Sequence, residues 1–253
     1  MKTRLLPLYA AAVYLFLHLP MLVLAVFSLN SSRFTVWEGI SLKWYRAALA
    51  DQQLMEATSN SLAIAFAATL ISTTVGTLCA YGLWRRHSGW ISGSLVLSLV
   101  TPEIVMGIAL LALFQWVFRN LGAHLGMHTV ILAHVSFCIA YVVVVVLARL
   151  RTFDRSLEEA ALDLGASEWQ AFLRVTLPSL YPAVGAAALL AFTLSFDDYV
   201  ITSLVSGVDS ETLPMVLYAM ARRGGNPEVN AISTLIVFGL GVLILASERL
   251  QTR

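Results

Sequence analysis

Six apolar runs set the pattern along the chain, near 8–29, 60–83, 92–118, 129–148, 181–205 and 230–247. Each is about as long as the ~20 helical residues needed to cross a ~30 Å hydrocarbon core. The pattern therefore predicts an all-α membrane protein of about six transmembrane helices. The third run is interrupted by Thr101-Pro102-Glu103 and the fifth by Asp197-Asp198. Lys2 and Arg4 precede the first run, as they would in a signal peptide. Its apolar stretch is too long for one and no small-x-small cleavage site follows, so it reads as a retained first helix.

Between the fourth and fifth runs, about 149–180, lies the longest hydrophilic connection. Ser156 with Glu159, and Ser167 with Gln170, have capping-box spacing, which predicts two short helices. The first is expected to end near Gly165, a residue suited to the left-handed position after a helix. On it Leu157, Ala160, Ala161 and Leu164 share one face, while Glu158 and Asp163 point elsewhere. On the second, Trp169, Phe172 and Leu173 make the apolar face, and Pro178 is expected to stop further helix nearby. A bent helix pair presenting small and aromatic residues suits docking into a groove on another protein. Taken alone, Glu159 reads equally as a helix cap and Gly165 as a helix stop.

Charge orients the chain. With the N-terminus inside, Lys2, Arg4, Arg85, Arg86, Arg149, Arg151, Arg155, Arg174, Arg249 and Arg253 fall on the cytoplasmic side. Arg33, Lys43, Arg46, Arg119, Arg222 and Arg223 fall on the other, a bias of ten against six that places both termini and the 149–180 loop in the cytoplasm. At 58% hydrophobic and 12% charged residues, with mean hydropathy +0.79, the chain lies far from a soluble domain. A net charge of +1 gives no reason to expect nucleic acid. Cys79 and Cys138 sit in apolar runs and imply neither a disulfide framework nor a metal site. The only lysines are Lys2 and Lys43, and neither ends a Gly-rich phosphate loop. The chain therefore carries no Walker A lysine and is not its own ATPase.

Charges inside membrane helices cost ~2.5–3.5 kcal/mol each on insertion scales and usually face a cavity or a partner. Glu103 falls about midway along the third run, and Asp197 with Asp198 in the outer part of the fifth. Adjacent helical residues diverge by ~100°, so one aspartate can face a pathway while the other pairs within the protein. The alternatives are an internal salt bridge or snorkelling to the outer surface. Carboxylates without an intramembrane Lys or Arg suit a cationic substrate. Phe196 and Tyr199 either add cation–π contacts or simply pack, and Pro102 is expected to loosen its helix locally and widen a channel. His134 and His18 read as hydrogen-bonded packing residues rather than proton relays, and no metal-ligand spacing or nucleophile–base arrangement is evident. In the outer connections, Trp37, Trp44 and Tyr45 suit an interfacial segment within 31–59. Leu213–Ala221 reads as a short helix that either touches a partner or covers the bundle. Pro227 suits the first position of the last helix, with Asn226 as its cap.

Glu159-Ala160-Ala161, three residues, Gly165, nine residues, Val175, one residue and Leu177-Pro178 resembles the EAA-loop pattern of permease subunits of ATP-binding-cassette (ABC) importers, with Val175 where isoleucine is commonest. Four further stretches, Asn30-Ser31-Ser32-Arg33-Phe34, Leu132–Cys138, Phe192–Asp198 and Asn226–Ala231, resemble the second permease subunit of spermidine/putrescine importers. The likeness runs over nearly the whole chain. It implies a single permease domain over 1–253 with the type I ABC importer fold, multi-pass in a bacterial inner membrane. It further implies a different permease as partner, two ATPase copies beneath that bind the ATP, and a periplasmic binding protein delivering polyamine. By the same resemblance Glu159, Ala160, Ala161, Gly165, Leu177 and Pro178 couple to the ATPase, and Glu103, Asp197, Asp198 and Tyr199 line the polyamine route. No cofactor, metal or catalytic residue is expected in the chain itself. The rival readings are a permease of the same class for another cargo, such as a different small amine, thiamine or ferric iron; an ion-driven secondary transporter; and an integral-membrane enzyme.

Overall fold

The computed structural model describes residues 2–34, 36–224 and 227–251. Asn226, the expected cap of the last helix, lies outside the described residues. Among the described residues twelve α-helices follow one another: α1 (Lys2–Phe27), α2 (Lys43–Ala50), α3 (Gln52–Arg85), α4 (Gly89–Val100), α5 (Glu103–Leu121), α6 (Met127–Leu150), α7 (Ser156–Asp163), α8 (Glu168–Ala171), α9 (Leu177–Asp197), α10 (Val200–Val205), α11 (Leu213–Arg222) and α12 (Pro227–Gln251). Among the described residues there is no strand, only an isolated antiparallel bridge between Asn30 and Ile40.

Among the described residues four helical stretches are long and apolar enough to span a membrane: Leu6–Phe27, Gln52–Arg85, Met127–Leu150 and Glu168–Asp197. The bent pair α4–α5 makes a fifth if it counts as one span. The sixth apolar run, 230–247, lies inside α12, which starts at Pro227 as expected. α3 starts eight residues before the apolar run it carries, so the connection after α1 is shorter than 31–59.

Where the third run was expected to be a locally loosened helix, the chain turns by 114° between α4 and α5. Pro102 disfavours helical backbone at the residue before it, and Thr101 is extended, with φ −67° and ψ 127°. Thr101 closes α4 twice, its N–H and hydroxyl both donating to the Leu97 carbonyl. The Pro102 carbonyl opens α5 by accepting from Val105 and Met106. Glu103 is consequently the first residue of α5, at the break midway along the third run. At 1.5 Å per residue, α4 alone is only about 18 Å long.

A second correction concerns Pro178, which does not end helix. α8 runs through a π-helical turn, Phe172–Thr176, straight into α9. Pro178 lies two residues beyond that π-helical turn, a local adjustment of the kind that re-satisfies backbone groups freed by a proline in a continuing helix.

Two compact units divide the chain: Met1–Glu56 with Val216–Arg253, and Ala57–Met215. In the first, the turn after α1 is built on buried Asn30. Its amide oxygen accepts from the N–H groups of Ser32 and Glu38, and its amide nitrogen donates to the Val36 carbonyl at 2.8 Å. Trp44 and Tyr45 of α2, expected at a membrane interface, hydrogen-bond back to the Asn30 carbonyl and Ser28 hydroxyl. Trp37 stays exposed beside Phe27. The second unit packs around α6, whose Val130, Ala133, Cys138, Val142, Val146 and Leu150 are fully buried. Leu180, Ala187 and Ala191 of α9 join the same core. α3 approaches α6 so closely that a Cβ on Gly76 would stand 2.6 Å from Val142 Cγ1, so only glycine fits there. The exposed apolar residues of α1, α4 and α5 face away from the chain's own core, as lipid-facing or partner-facing residues do.

Candidate functional site

The 149–180 loop and the two helix breaks carry the candidate residues. In the loop, the expected Ser156–Glu159 capping box is absent. Asp154 wins that competition, its Oδ1 accepting from the Ser156 N–H at 3.0 Å, and Ser156 becomes the first helical residue. Hydrogen bonds from the Ser156 side chain and backbone hold the Asp154 carboxyl below its ordinary value. The Ser167–Gln170 box forms in both directions, at 3.2 Å and 2.9 Å. Between the two helices, Gly165 has φ +85°. Ala166 donates to the Ala161 carbonyl and Gly165 to the Leu162 carbonyl, the paired bonds of a Schellman motif.

Glu158 points away from the Leu157–Leu164 face, as expected: it is buried at 1% exposure, while those leucines are exposed. The Glu158 Oε1 accepts from Arg85 Nη1 at 2.6 Å and from the Tyr81 hydroxyl at 2.5 Å. Glu159 faces outward beside Arg155; Ala160 and Pro178 are exposed, and Ala161 and Leu177 half-buried. Phe172 is buried, its ring 4.4 Å from that of Tyr81, whereas Trp169 stacks on it from outside and remains exposed. The loop thus presents Leu157, Leu164, Trp169 and Leu173 outward as an apolar surface edged by Glu159.

The two helix breaks meet at a cavity of about 310 Å³, lined by Glu103, Asp197, Asp198 and Tyr199 together with Thr101, Met106, Phe137 and Tyr141. The aspartates diverge: Asp197 is exposed to the cavity and Asp198 is buried. Asp198 Oδ2 accepts from the Thr202 N–H and hydroxyl, both at 2.7 Å, and stands 3.4 Å from His134 Nε2. Nδ1 of His134 lies 2.7 Å from the Ser195 hydroxyl and Nε2 lies 2.9 Å from that of Thr202, so this histidine is a fully bonded packing residue. On α1, His18 Nδ1 lies 2.8 Å from the Tyr14 carbonyl oxygen. Phe196 packs against Phe192, leaving Tyr199 as the expected aromatic that reaches the cavity. Tyr141 and Phe137 were missed by sequence reasoning. Both lie on the His134 face of α6, at helical spacings of three and seven, and that spacing was the available signal. A larger cavity, about 630 Å³, lies in the first unit, but its lining includes Arg33 and no carboxylate. The chemistry suited to a cation therefore sits in the smaller cavity. Among the described residues no group of three or more His, Cys, Asp or Glu side chains is placed to hold a metal ion.

Comparison with known proteins agrees with this geometry. Residues 72–253 match the family described as "Binding-protein-dependent transport system inner membrane component". The putrescine transport system permease protein PotI of Escherichia coli is 45% identical over 95% of this chain and 88% of that protein. The spermidine/putrescine transport system permease protein PotC of Escherichia coli is 40% identical over 95% of this chain and 91% of that protein. In structure, a chain of the bacterial alginate ABC transporter, in complex with alginate pentasaccharide-bound periplasmic protein, superposes with TM-score 0.71. It covers 97% of this chain and 92% of its own at 15% identity, a likeness of fold alone.

Proposed function

Since the chain belongs to the family of binding-protein-dependent transport system inner membrane components, we propose that it is the permease subunit of an ABC importer for putrescine and spermidine. The single observation that carries the cargo assignment is 40–45% identity, over 95% of the chain, to permeases named for those two polyamines. The cavity supports it chemically. Glu103 and Asp197 offer negative charge and Tyr141 and Tyr199 offer ring faces, a set that favours a flexible cation.

On this reading the chain pairs with a second permease, and a periplasmic binding protein delivers polyamine from outside. Two ATPase copies bind ATP and grip the outward apolar surface of the loop, with Glu159 at its edge. Closure of the ATPase pair moves the loop, and the spans alternate between inward- and outward-facing states. Binding-protein docking biases the same equilibrium from the other side, a coupling between distinct sites. The Lys/Arg bias supports a cytoplasmic side for both termini. The partner does the work; this chain supplies the path and the lever.

The test is uptake of labelled putrescine and spermidine in cells lacking this gene, complemented with wild type or Gly165→Asp. Nothing lies within 4 Å of a Cβ at Gly165, but its φ of +85° is one that a side chain strains, so the aspartate both strains the turn and adds a charge to the docking surface. Uptake restored by wild type but not by the membrane-inserted variant is expected. Wild type that restores neither polyamine overturns the cargo; normal uptake by Gly165→Asp overturns the coupling.

A further inference from the structure

The loop is fastened to the rest of its unit by residues outside the EAA pattern. Arg85 is the last residue of α3. Its Nη1 donates to Glu158 Oε1 of α7 at 2.6 Å, and its Nη2 lies 3.1 Å from Glu168 Oε1 of α8. One guanidinium therefore spans both helices of the loop and the Gly165 turn between them. Tyr81, one turn earlier on α3, donates to the same Glu158 oxygen and packs its ring on Phe172. Trp84 meets Phe153 edge to face, and the Arg155 guanidinium lies 5.3 Å from the Trp84 ring centroid. These contacts all land on the final turns of one long helix.

Burial separates the two neighbouring acids of the loop. Glu158 is 1% exposed, and its second oxygen, Oε2, has no hydrogen-bond partner among the described residues. Its charge therefore rests on Arg85 and Tyr81. Removing a partner from a buried pair leaves an uncompensated charge, so the loop cannot slide freely on α3. Glu159 points the other way, into the surface proposed to meet the ATPase.

The geometry points to Arg85 as the positioning residue that passes motion of the loop to α3, with Glu159 on the input side and Glu158 on the output side. This rests on the reading of the loop as the ATPase-coupling segment. A lysine cannot replace it fully, because a single ammonium does not reproduce the fork that reaches two carboxylates on separate helices. The exposed Glu168 is the lesser anchor, and its loss leaves the buried pair intact.

The experiment uses the complete complex of both permeases, the ATPase and the binding protein in proteoliposomes, and reads labelled putrescine moved per ATP hydrolysed. Arg85→Gln is expected to keep hydrolysis but lower that ratio about ten-fold, and Glu168→Gln about two-fold, with Arg85→Lys between them. A merely structural role lowers both rates together with the amount of assembled complex, and an unchanged ratio in the assembled variants overturns the proposal. If Arg85→Gln does not assemble, Glu168→Gln decides alone by the same ratio. A cargo-free measurement separates this proposal from the functional reading: electron spin resonance distances between labels at the exposed positions Arg86 and Asp163, both outside the apolar docking surface. One narrow distance, kept on ATP binding in wild type and broadened by Arg85→Gln, is expected. A wild-type distance that changes with nucleotide overturns the lever. Wild type that keeps its distance but moves no putrescine overturns the cargo and leaves the lever standing.

Discussion

Two places in the molecule carry adjacent acids, Glu158-Glu159 in the 149–180 loop and Asp197-Asp198 at the break between α9 and α10. In each, one carboxylate is buried and fastened to another helix, and the other faces outward, onto the loop surface or into the cavity. Neighbouring side chains diverge because the helix turns ~100° per residue. The fastening acid thereby sets where its neighbour stands. The fastenings differ in kind. Glu158 leans on one permanent cation and a phenol; Asp198 is held by a threonine hydroxyl, backbone N–H groups and a histidine. In the loop one guanidinium carries most of the fastening, whereas beside the cavity it is shared among hydroxyl, backbone and imidazole groups.

The sharpest way to break the comparison is Asp198→Ala. It strips a buried acceptor from Thr202 and His134 and should cost about 3 kcal/mol, read as a lowered melting temperature of the purified protein. An unchanged melting temperature would show that the fastening is idle. Asp197→Asn should leave melting intact yet weaken putrescine uptake more than ten-fold, about 2 kcal/mol of lost charge contact. Unchanged uptake would remove Asp197 from the route. In the loop, Gly165→Ala forces a side chain into left-handed backbone, a cost of about 1–2 kcal/mol. Faster proteolysis of the 156–171 segment is its expected sign. Ser167→Ala loses one half of the capping box, about 1 kcal/mol, and should loosen α8 without touching the Glu158 pair. The smallest effect is a titration. Because the Asp154 carboxyl is held below its ordinary 3.8, its stabilisation is present above that value and lost as pH falls through the lower folded one. Amide exchange at Ser156, normalised to its intrinsic rate, should therefore speed up selectively below about pH 4. Protection that persists until the whole protein unfolds would contradict this.

Much of the loop was legible from spacing. Gly165 and the Ser167–Gln170 box depend on residues within one turn of each other, and both formed. Ser156–Glu159 looked equally good, but Asp154, two residues earlier, offered the nearer acceptor. That Glu158 leaves the Leu157 face followed from helical spacing, but its burial did not, because its partner Arg85 is 73 residues away. Pro178 misled because a neighbouring π-helical turn lets a helix continue past a proline. At the cavity the separation of Asp197 from Asp198 followed from helical geometry, but which of them turned inward was set by His134 on another helix. The scale of the Pro102 bend was likewise not local information.

The most direct test of the central claim is labelled putrescine uptake into proteoliposomes holding the full complex, with ATP supplied on the ATPase side and the binding protein on the other. ATP-dependent accumulation, competed by spermidine and indifferent to a protonophore, is the expected result. Uptake that proceeds without ATP and collapses with the ion gradient would contradict the account and make the chain a secondary transporter.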